Sequence, residues 1–142
     1  MSLTVLGGGS WGTALAILLA NNGHAPLLWV RDPAQARQMA DERCNRRYLP
    51  DVLLPPTLKL SAGLDEALSA ARDLLIVVPS HAFRDTLHEV ARLRPTGLRI
   101  AWATKGLEPG TGRFLSDVTT ELMPACPQAV LSGPTFATEI AR

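Results

Sequence analysis

The sequence predicts an α/β fold: a doubly wound, mostly parallel sheet of about six strands with helices on both faces. Three observations carry this. Short apolar runs alternate along the chain with stretches of helical character, the order that builds parallel sheets through crossover connections. One run, residues 74–78, is wholly apolar and rich in β-branched side chains, as suits a strand covered on both faces. The first run ends in Gly7, Gly9 and Gly12, the G-x-G-x-x-G spacing that joins a strand to a helix. Right-handed crossovers then favour the doubly wound topology.

The opening strand is Leu3–Leu6, and the glycines after it have separate roles. Gly7 permits the tight turn, Gly9 lets the backbone approach a pyrophosphate, and Gly12 lets the helix sit close on the sheet. The helix that follows carries small residues at Ala14, Ala16 and Ala20 and closes at Gly23 as a C-cap. Its free first-turn amides and its dipole favour an anion. A glycine-rich turn can be only a turn. Here the strand before it and the helix after it favour Rossmann-type dinucleotide binding.

Residues 27–30 form the second strand, which ends at Arg31-Asp32-Pro33, where such folds choose between their cofactors. Asp32 stands where it would cap a helix over residues 34–43, with Pro33 at the first helical position. Arg31 either contacts a 2′-phosphate or stacks on adenine; the alternative is a solvated loop arginine. Residues 44–56 contain Pro50, Pro55 and Pro56 and are expected to form a long ordered loop. From it Arg46, Arg47 and Tyr48 either reach the cofactor or stay on the surface. A short strand over 58–61 and a short helix over 65–71 follow.

The strand over 73–79 runs into Ser80, a natural N-cap, and a helix over 82–93. Next come a strand over 98–104 ending in Lys105-Gly106, a helix over 112–122, and a sixth strand over 128–132 ending in Gly133-Pro134. A last helix starts at Thr135 and runs to Arg142.

Composition narrows the function. At 142 residues, with 46% hydrophobic and 19% charged residues, the chain is globular and one domain long. A net charge of +1 without a basic run offers no footprint for nucleic acid. Cys44 and Cys126 lack metal-ligand spacing and read as reduced thiols in a cytosolic protein. The apolar stretch 13–20 is too short to span a membrane and has no cationic flank to make it a signal peptide, so a cytoplasmic location is expected.

Ligands of such sheets bind at the carboxyl ends of the strands. Those ends here are residues 7–12, Arg31, Pro79-Ser80-His81, Thr104-Lys105-Gly106 and Gly133-Pro134-Thr135, five ends expected to face one crevice. Lys105 is the fixed cation among the last three. It would hold a substrate phosphate or polarise a carbonyl oxygen. His81 is a weaker candidate, and His24 and His88 have no identifiable partner. No spacing suggests a metal site or a nucleophile–base triad.

Four ordered stretches, Gly-Gly-Gly-Ser-Trp-Gly-Thr-Ala (7–14), Val-Val-Pro-Ser-His (77–81), Ala-Thr-Lys-Gly-Leu-Glu (103–108) and Ser-Gly-Pro-Thr-Phe-Ala (132–137), resemble the bacterial-type NAD(P)-dependent glycerol-3-phosphate dehydrogenases. Cys-Asn-Arg-Arg-Tyr-Leu-Pro (44–50) is similar too. Gly8 departs from the Ala usual in that family, a mild difference.

The resemblance implies an oxidoreductase that interconverts dihydroxyacetone phosphate and sn-glycerol 3-phosphate for glycerophospholipid synthesis. It implies cofactor contacts from Ser10, Trp11, Arg31, Lys105 and Ala137, beside the glycines. Lys105, Gly133 and Thr135 would line the substrate site, with Gly133-Pro134-Thr135 opening a helix toward an anion. Arg31 tilts the cofactor toward NADPH over NADH.

Family members continue into a helical second domain that supplies the general acid–base lysine, which is therefore expected beyond Arg142. No catalytic residue of that kind is expected within these 142 residues, which are read as one dinucleotide-binding domain that binds cofactor without turnover. Family members are commonly dimeric, and a homodimer is possible for the whole protein. Surface meant for the second domain would leave an apolar patch exposed. Related 3-hydroxyacid or 6-phosphogluconate-type dehydrogenases fit Thr-Lys-Gly and Ser-Gly-Pro-Thr less well. A nucleotide-sensing module would need an attached output segment, and a methyltransferase would want an acid at Arg31.

Overall fold

A computed structural model describes residues 2–69, 71–94 and 96–142. Along the chain run β1 (Leu3–Leu6), α1 (Ser10–Asn21), β2 (Leu27–Trp29), α2 (Pro33–Glu42), β3 (Cys44–Asn45), β4 (Leu49–Leu53) and β5 (Lys59–Ser61). Then follow α3 (Leu64–Ser69), β6 (Asp73–Ile76), α4 (Ser80–Leu93), β7 (Arg99–Trp102), α5 (Leu115–Leu122), β8 (Gln128–Val130) and α6 (Ala137–Ile140).

Six of the strands form one parallel sheet in the order β5-β2-β1-β6-β7-β8. Counted along that sheet's own strands, this is the 3-2-1-4-5-6 order of dinucleotide-binding folds. The chain reverses direction of growth between β1 and β6, where Leu6 pairs with Ile76. A crevice therefore opens beyond the carboxyl ends of these two strands.

Both faces of the sheet are buried, and successive residues go to opposite sides. Val5, Leu28, Leu75, Val77 and Ala103 pack with α1 and α2 residues such as Ala14, Ile17, Ala36 and Met39. Leu6, Leu74, Ile76, Val78, Ile100 and Trp102 pack with Phe83, Leu87 and Val90 of α4 and Leu115 and Val118 of α5. Residues 74–78 are continuously apolar because each face claims alternate members of the run. Thr4, also buried, donates its hydroxyl to the Ala67 carbonyl 2.9 Å away.

Local signals mostly hold. α1 closes with the Gly23 N–H on the Ala20 carbonyl and the His24 N–H on the Leu19 carbonyl, both 3.1 Å, the paired bonds of a Schellman cap. Asp32 Oδ1 accepts from the Ala34 N–H at 2.9 Å, and Pro33 opens α2.

Four expectations are corrected. Residues 44–56 are not all loop: Cys44–Asn45 pairs antiparallel with Leu49–Leu53 around an irregular register. Pro50 fits because, among the described residues, β4 pairs with β3 alone, so its missing N–H breaks no second ladder. The segment is ordered by Arg43, whose guanidinium donates to the carbonyls of Pro55 and of Leu58 (3.1 Å). Second, Ser80 is the first residue of α4 rather than its cap; Pro79 holds that position. Third, the helix expected from 112 starts at Leu115, because residues 112–114 belong to the loop after β7. Fourth, the last helix is one turn, Ala137–Ile140, and does not span Thr135 to Arg142. Residues 133–135 precede it as loop with a bend at Pro134, and Ala141 caps it, leaving Arg142 outside the helix and exposed. Ala70, expected in α3, lies outside the described residues.

Candidate functional site

The crevice is built on the glycine turn. Gly7 leaves β1 at φ +130°, and a Cβ there would meet the Val77 carbonyl at 2.6 Å. A Cβ on Gly12 would meet the Gly7 carbonyl oxygen at 1.9 Å, so α1 and the turn approach as closely as backbones can. Among the described residues nothing lies within 4 Å of a Cβ built on Gly9. Gly9 is also the N-cap of α1 and offers no side chain, which leaves the first-turn amides free. The turn is tight on its inner side and open on its outer side.

The Gly8 carbonyl is held from behind by two amides. Gln35 Nε2 donates to it at 2.9 Å and Asn45 Nδ2 at 3.0 Å. Asn45, 1% exposed, also donates to Thr13 Oγ1 at 2.8 Å, which ties β3 to both the turn and α1. Neither amide stands out in the sequence. Asn45 could have been noticed only through the family-like stretch 44–50.

The cleft beyond this turn has a volume of about 690 Å³. It is lined by residues 7–12, by Arg31, Asp32 and Gln35, by Arg47 and Tyr48, by the end of β6 with Ser80 and His81, and by Lys105. Gly7, Gly9, Ser10, Trp11, Gly12, Arg31 and Lys105 thus share one wall system, as the sequence suggests. Arg47 lies over Tyr48 as a cation on a ring face, its guanidinium carbon 5.1 Å from the ring centre.

A second cleft of about 720 Å³ adjoins the first and contains Gly133 and Thr135. The five strand ends therefore open onto a pair of adjoining clefts. Trp11, Ala103, Thr104 and Lys105 line both. Lys105 Nζ sits 5.4 Å from the Trp11 ring centre, placing an ammonium on the partition. Thr104 Oγ1 donates to the Val78 carbonyl at 2.8 Å and fixes the strand ends below it. Ala137 lines neither cleft. It packs at the start of α6 against the α1 side of the core. The lysines of the chain are Lys59 and Lys105. Lys59 is exposed on the edge strand β5, away from both clefts, and Arg142 also lines neither. Lys105 is thus the lysine at hand.

The outer rim of the second cleft is apolar and exposed: Phe114 at 66%, Val130 at 63% and Leu131 at 49%. Phe136, beside it in sequence, is 72% exposed. An exposed apolar patch was the expectation for this domain.

An ionic cluster holds the loop that carries Lys105. Glu108 accepts from Arg84 Nε of α4 and from Thr111 Oγ1, both at 2.5 Å. Arg84 also reaches Glu121 of α5 at 2.9 Å, and Arg113 reaches the other Glu121 oxygen at 2.5 Å. Hydrogen bonds from Arg84 and then Arg113 hold the Glu121 carboxyl down at about 2, from an ordinary 4.5. Arg84, then Thr111, lower Glu108 as well. Glu108 and Glu121 together push the Arg84 guanidinium above its ordinary value.

Residues 2–142 match the family model for the NAD-dependent glycerol-3-phosphate dehydrogenase N-terminus. The chain is 56% identical over 142 residues to the glycerol-3-phosphate dehydrogenase (NAD(P)+) of Serratia proteamaculans and 53% identical over 141 residues to that of Yersinia pestis. In each case 99% of this chain is covered, and it spans 42% of the relative's length. The crystal structure of glycerol-3-phosphate dehydrogenase from Coxiella burnetii is similar at TM-score 0.93 and 43% identity, over 99% of this chain and 43% of that one. The yeast glycerol-3-phosphate dehydrogenase structure, 24% identical at TM-score 0.87 over 99% of this chain and 44% of that one, shares the fold.

Proposed function

Because the chain belongs to the family of NAD-dependent glycerol-3-phosphate dehydrogenase N-termini, we propose that its glycine cleft holds NADPH, or less tightly NADH, and that the whole protein reduces dihydroxyacetone phosphate to sn-glycerol 3-phosphate. The observation that carries this reading is Lys105 standing on the partition between the glycine cleft and the cleft of Gly133 and Thr135. One cation there serves two ligands that must meet.

The residues present fit such a cofactor. The open space over Gly9 and the uncapped first turn of α1 would take the pyrophosphate. The Gly12 close approach keeps those amides at the crevice floor. Arg31 would pair with the 2′-phosphate, while Asp32 spends its carboxylate on the start of α2. Ser10 and Trp11 would line the path toward the nicotinamide. Bound there, the cofactor supplies a hydride to the ketone carbon. Lys105 would hold the ketone oxygen or the substrate phosphate by charge. Gly133 and Thr135 would face that substrate from the far wall. We assign Ala137 a packing role in this chain rather than the cofactor contact the resemblance implies.

We assign proton delivery to a lysine of a helical second domain, for which the relatives' greater length leaves room: this chain spans 42% of it. The exposed rim of Phe114, Val130 and Leu131 is consistent with that domain's closing the second cleft. On this reading residues 2–142 bind the cofactor, and turnover needs the proton donor and the exclusion of water that the second domain supplies. We place the whole protein in the cytoplasm, feeding glycerophospholipid synthesis. Among the described residues no helix is long and apolar enough to cross a membrane.

Calorimetric titration of the chain with NADPH and with NADH, at one salt concentration, tests the reading. NADPH is expected to bind more tightly, without dihydroxyacetone phosphate-dependent oxidation. Failure of both cofactors to bind, or near-normal turnover, would overturn it.

A further inference from the structure

The turn between β3 and β4 brings a second arginine to the cleft mouth that the proposed function leaves unused. Arg47 and Tyr48 line the same cleft as Arg31. Their hairpin is pinned to the glycine turn by Asn45, through its bonds to the Gly8 carbonyl and Thr13 Oγ1. The Tyr48 N–H closes the hairpin on the Asn45 carbonyl at 3.2 Å. The mouth is thus a fixed neighbour of the crevice floor.

Its charges are unbalanced. Among the described residues neither Arg31 nor Arg47 has an ion-pair partner, whereas the adjacent Arg46 pairs with Glu42 and does not line the cleft. Among the described residues the one acidic side chain in the lining, Asp32, accepts from the Ala34 N–H. Arg47 lies over the Tyr48 ring, its guanidinium carbon 5.1 Å from the centre, and among the described residues its N–H donors have no hydrogen-bond partner. The α1 amides stand at the glycine end, and Lys105 stands on the far partition. Two free arginine forks remain at the mouth. Their chemical match is a phosphate monoester, with close to two negative charges and three acceptor oxygens.

We propose that Arg47 is a specificity-determining residue that forms, with Arg31, a two-arginine clamp on the 2′-phosphate of NADPH. This rests on the glycine cleft holding a nicotinamide dinucleotide.

The test is titration of wild type, Arg47→Ala, Arg31→Ala and Arg46→Ala with NADPH and NADH at fixed salt, with melting curves on the same samples. Arg47→Ala is expected to weaken NADPH about tenfold, the worth of one charge-assisted hydrogen bond, and NADH by less than about twofold. Arg46→Ala should change neither, although it removes the same charge one residue away. An equal loss for both cofactors would make Arg47 an adenine-stacking residue and overturn the clamp, as would no loss. Wild type that binds neither cofactor would overturn the parent reading, and the clamp with it. Wild type that binds both while Arg47→Ala is silent sinks the clamp alone.

Discussion

Gly8 and Val30 occupy one space: a Cβ built on Gly8 would stand 2.9 Å from both γ-carbons of Val30. Val30 is 1% exposed, its N–H is bonded to the Ser61 carbonyl at 2.8 Å, and its branched side chain has little freedom at χ1. Gly8→Ala alone should therefore destabilise by about 1–3 kcal/mol, the usual cost of overpacking. Val30→Ala added to it should recover most of that loss. Denaturant titration of the two single variants and the double variant measures the coupling. Purely additive effects would mean the two residues do not share the space.

Gly9 and Gly12 separate folding from binding. A side chain at Gly12 meets backbone at 1.9 Å, with no flexible neighbour to yield, so Gly12→Ala should cost at least the ~3 kcal/mol top of the overpacking range. Gly9 meets nothing, and its φ of −78° suits any residue. Gly9→Ala should leave stability within about 0.5 kcal/mol while weakening NADPH, because its methyl group enters the space assigned to the pyrophosphate. Melting and titration of one preparation decide this. Undiminished affinity would place the pyrophosphate elsewhere.

Asn45→Ala tests the rear support of the same turn. It strips the Thr13 hydroxyl of a partner and leaves the Gly8 carbonyl with Gln35 alone. A loss of about 1–3 kcal/mol is expected. Loss of NADPH affinity should accompany it, since Arg47 and Tyr48 ride on the hairpin. Asn45→Asp, which removes the donor and turns a buried carboxylate on the Gly8 carbonyl, should lose at least as much as Ala in both measurements.

That support was not legible in the sequence, although the sheet was. β1, β6 and β7 announce themselves because burial on two faces demands unbroken apolar runs such as residues 74–78. The two-residue strand β3 carries no period, and prolines at 50, 55 and 56 argue for loop. What orders the segment is Arg43 on the Pro55 and Leu58 carbonyls and Asn45 on Gly8, contacts made by tertiary approach. The glycine spacing and strand ends marked most of the lining of the two clefts in advance. The division into two clefts was hidden, because it depends on where Trp11 meets Lys105 across the helix and the β7 loop. The cluster of Arg84, Glu108 and Glu121 was hidden for the same reason, the two glutamates lying 24 and 37 residues from Arg84.

The acid limb of stability should report that cluster. Glu121 has its carboxyl lowered from 4.5 to about 2 in the folded state. A depressed carboxyl contributes stability above its unfolded value, and the contribution is lost as pH falls through the folded one. Melting temperature should therefore decline as pH drops from about 4.5 toward 2. Arg84→Met removes the principal partner of Glu121 and Glu108. It should be less stable than wild type near neutrality, and the gap should close across that same window. A gap that stays constant with pH would assign the loss to packing rather than to the ion pairs.

Lys105 can be divided into its charge and its stem. Its ammonium lies over Trp11 at an exposed site, where such a contact contributes about 0.5–1 kcal/mol to folding. Lys105→Met keeps a stem long enough to cover the indole, so melting should move little. If the charge serves both ligands, that variant should weaken NADPH binding severalfold even though its fold is intact. In a full-length relative carrying the matching lysine, the same change should depress kcat/KM for dihydroxyacetone phosphate by more than it depresses NADPH affinity, because the ketone oxygen gains charge only as the reaction proceeds. Equal losses in the two quantities would confine Lys105 to the cofactor side of the partition. A loss in turnover with unchanged NADPH affinity would confine it to the side of Gly133 and Thr135.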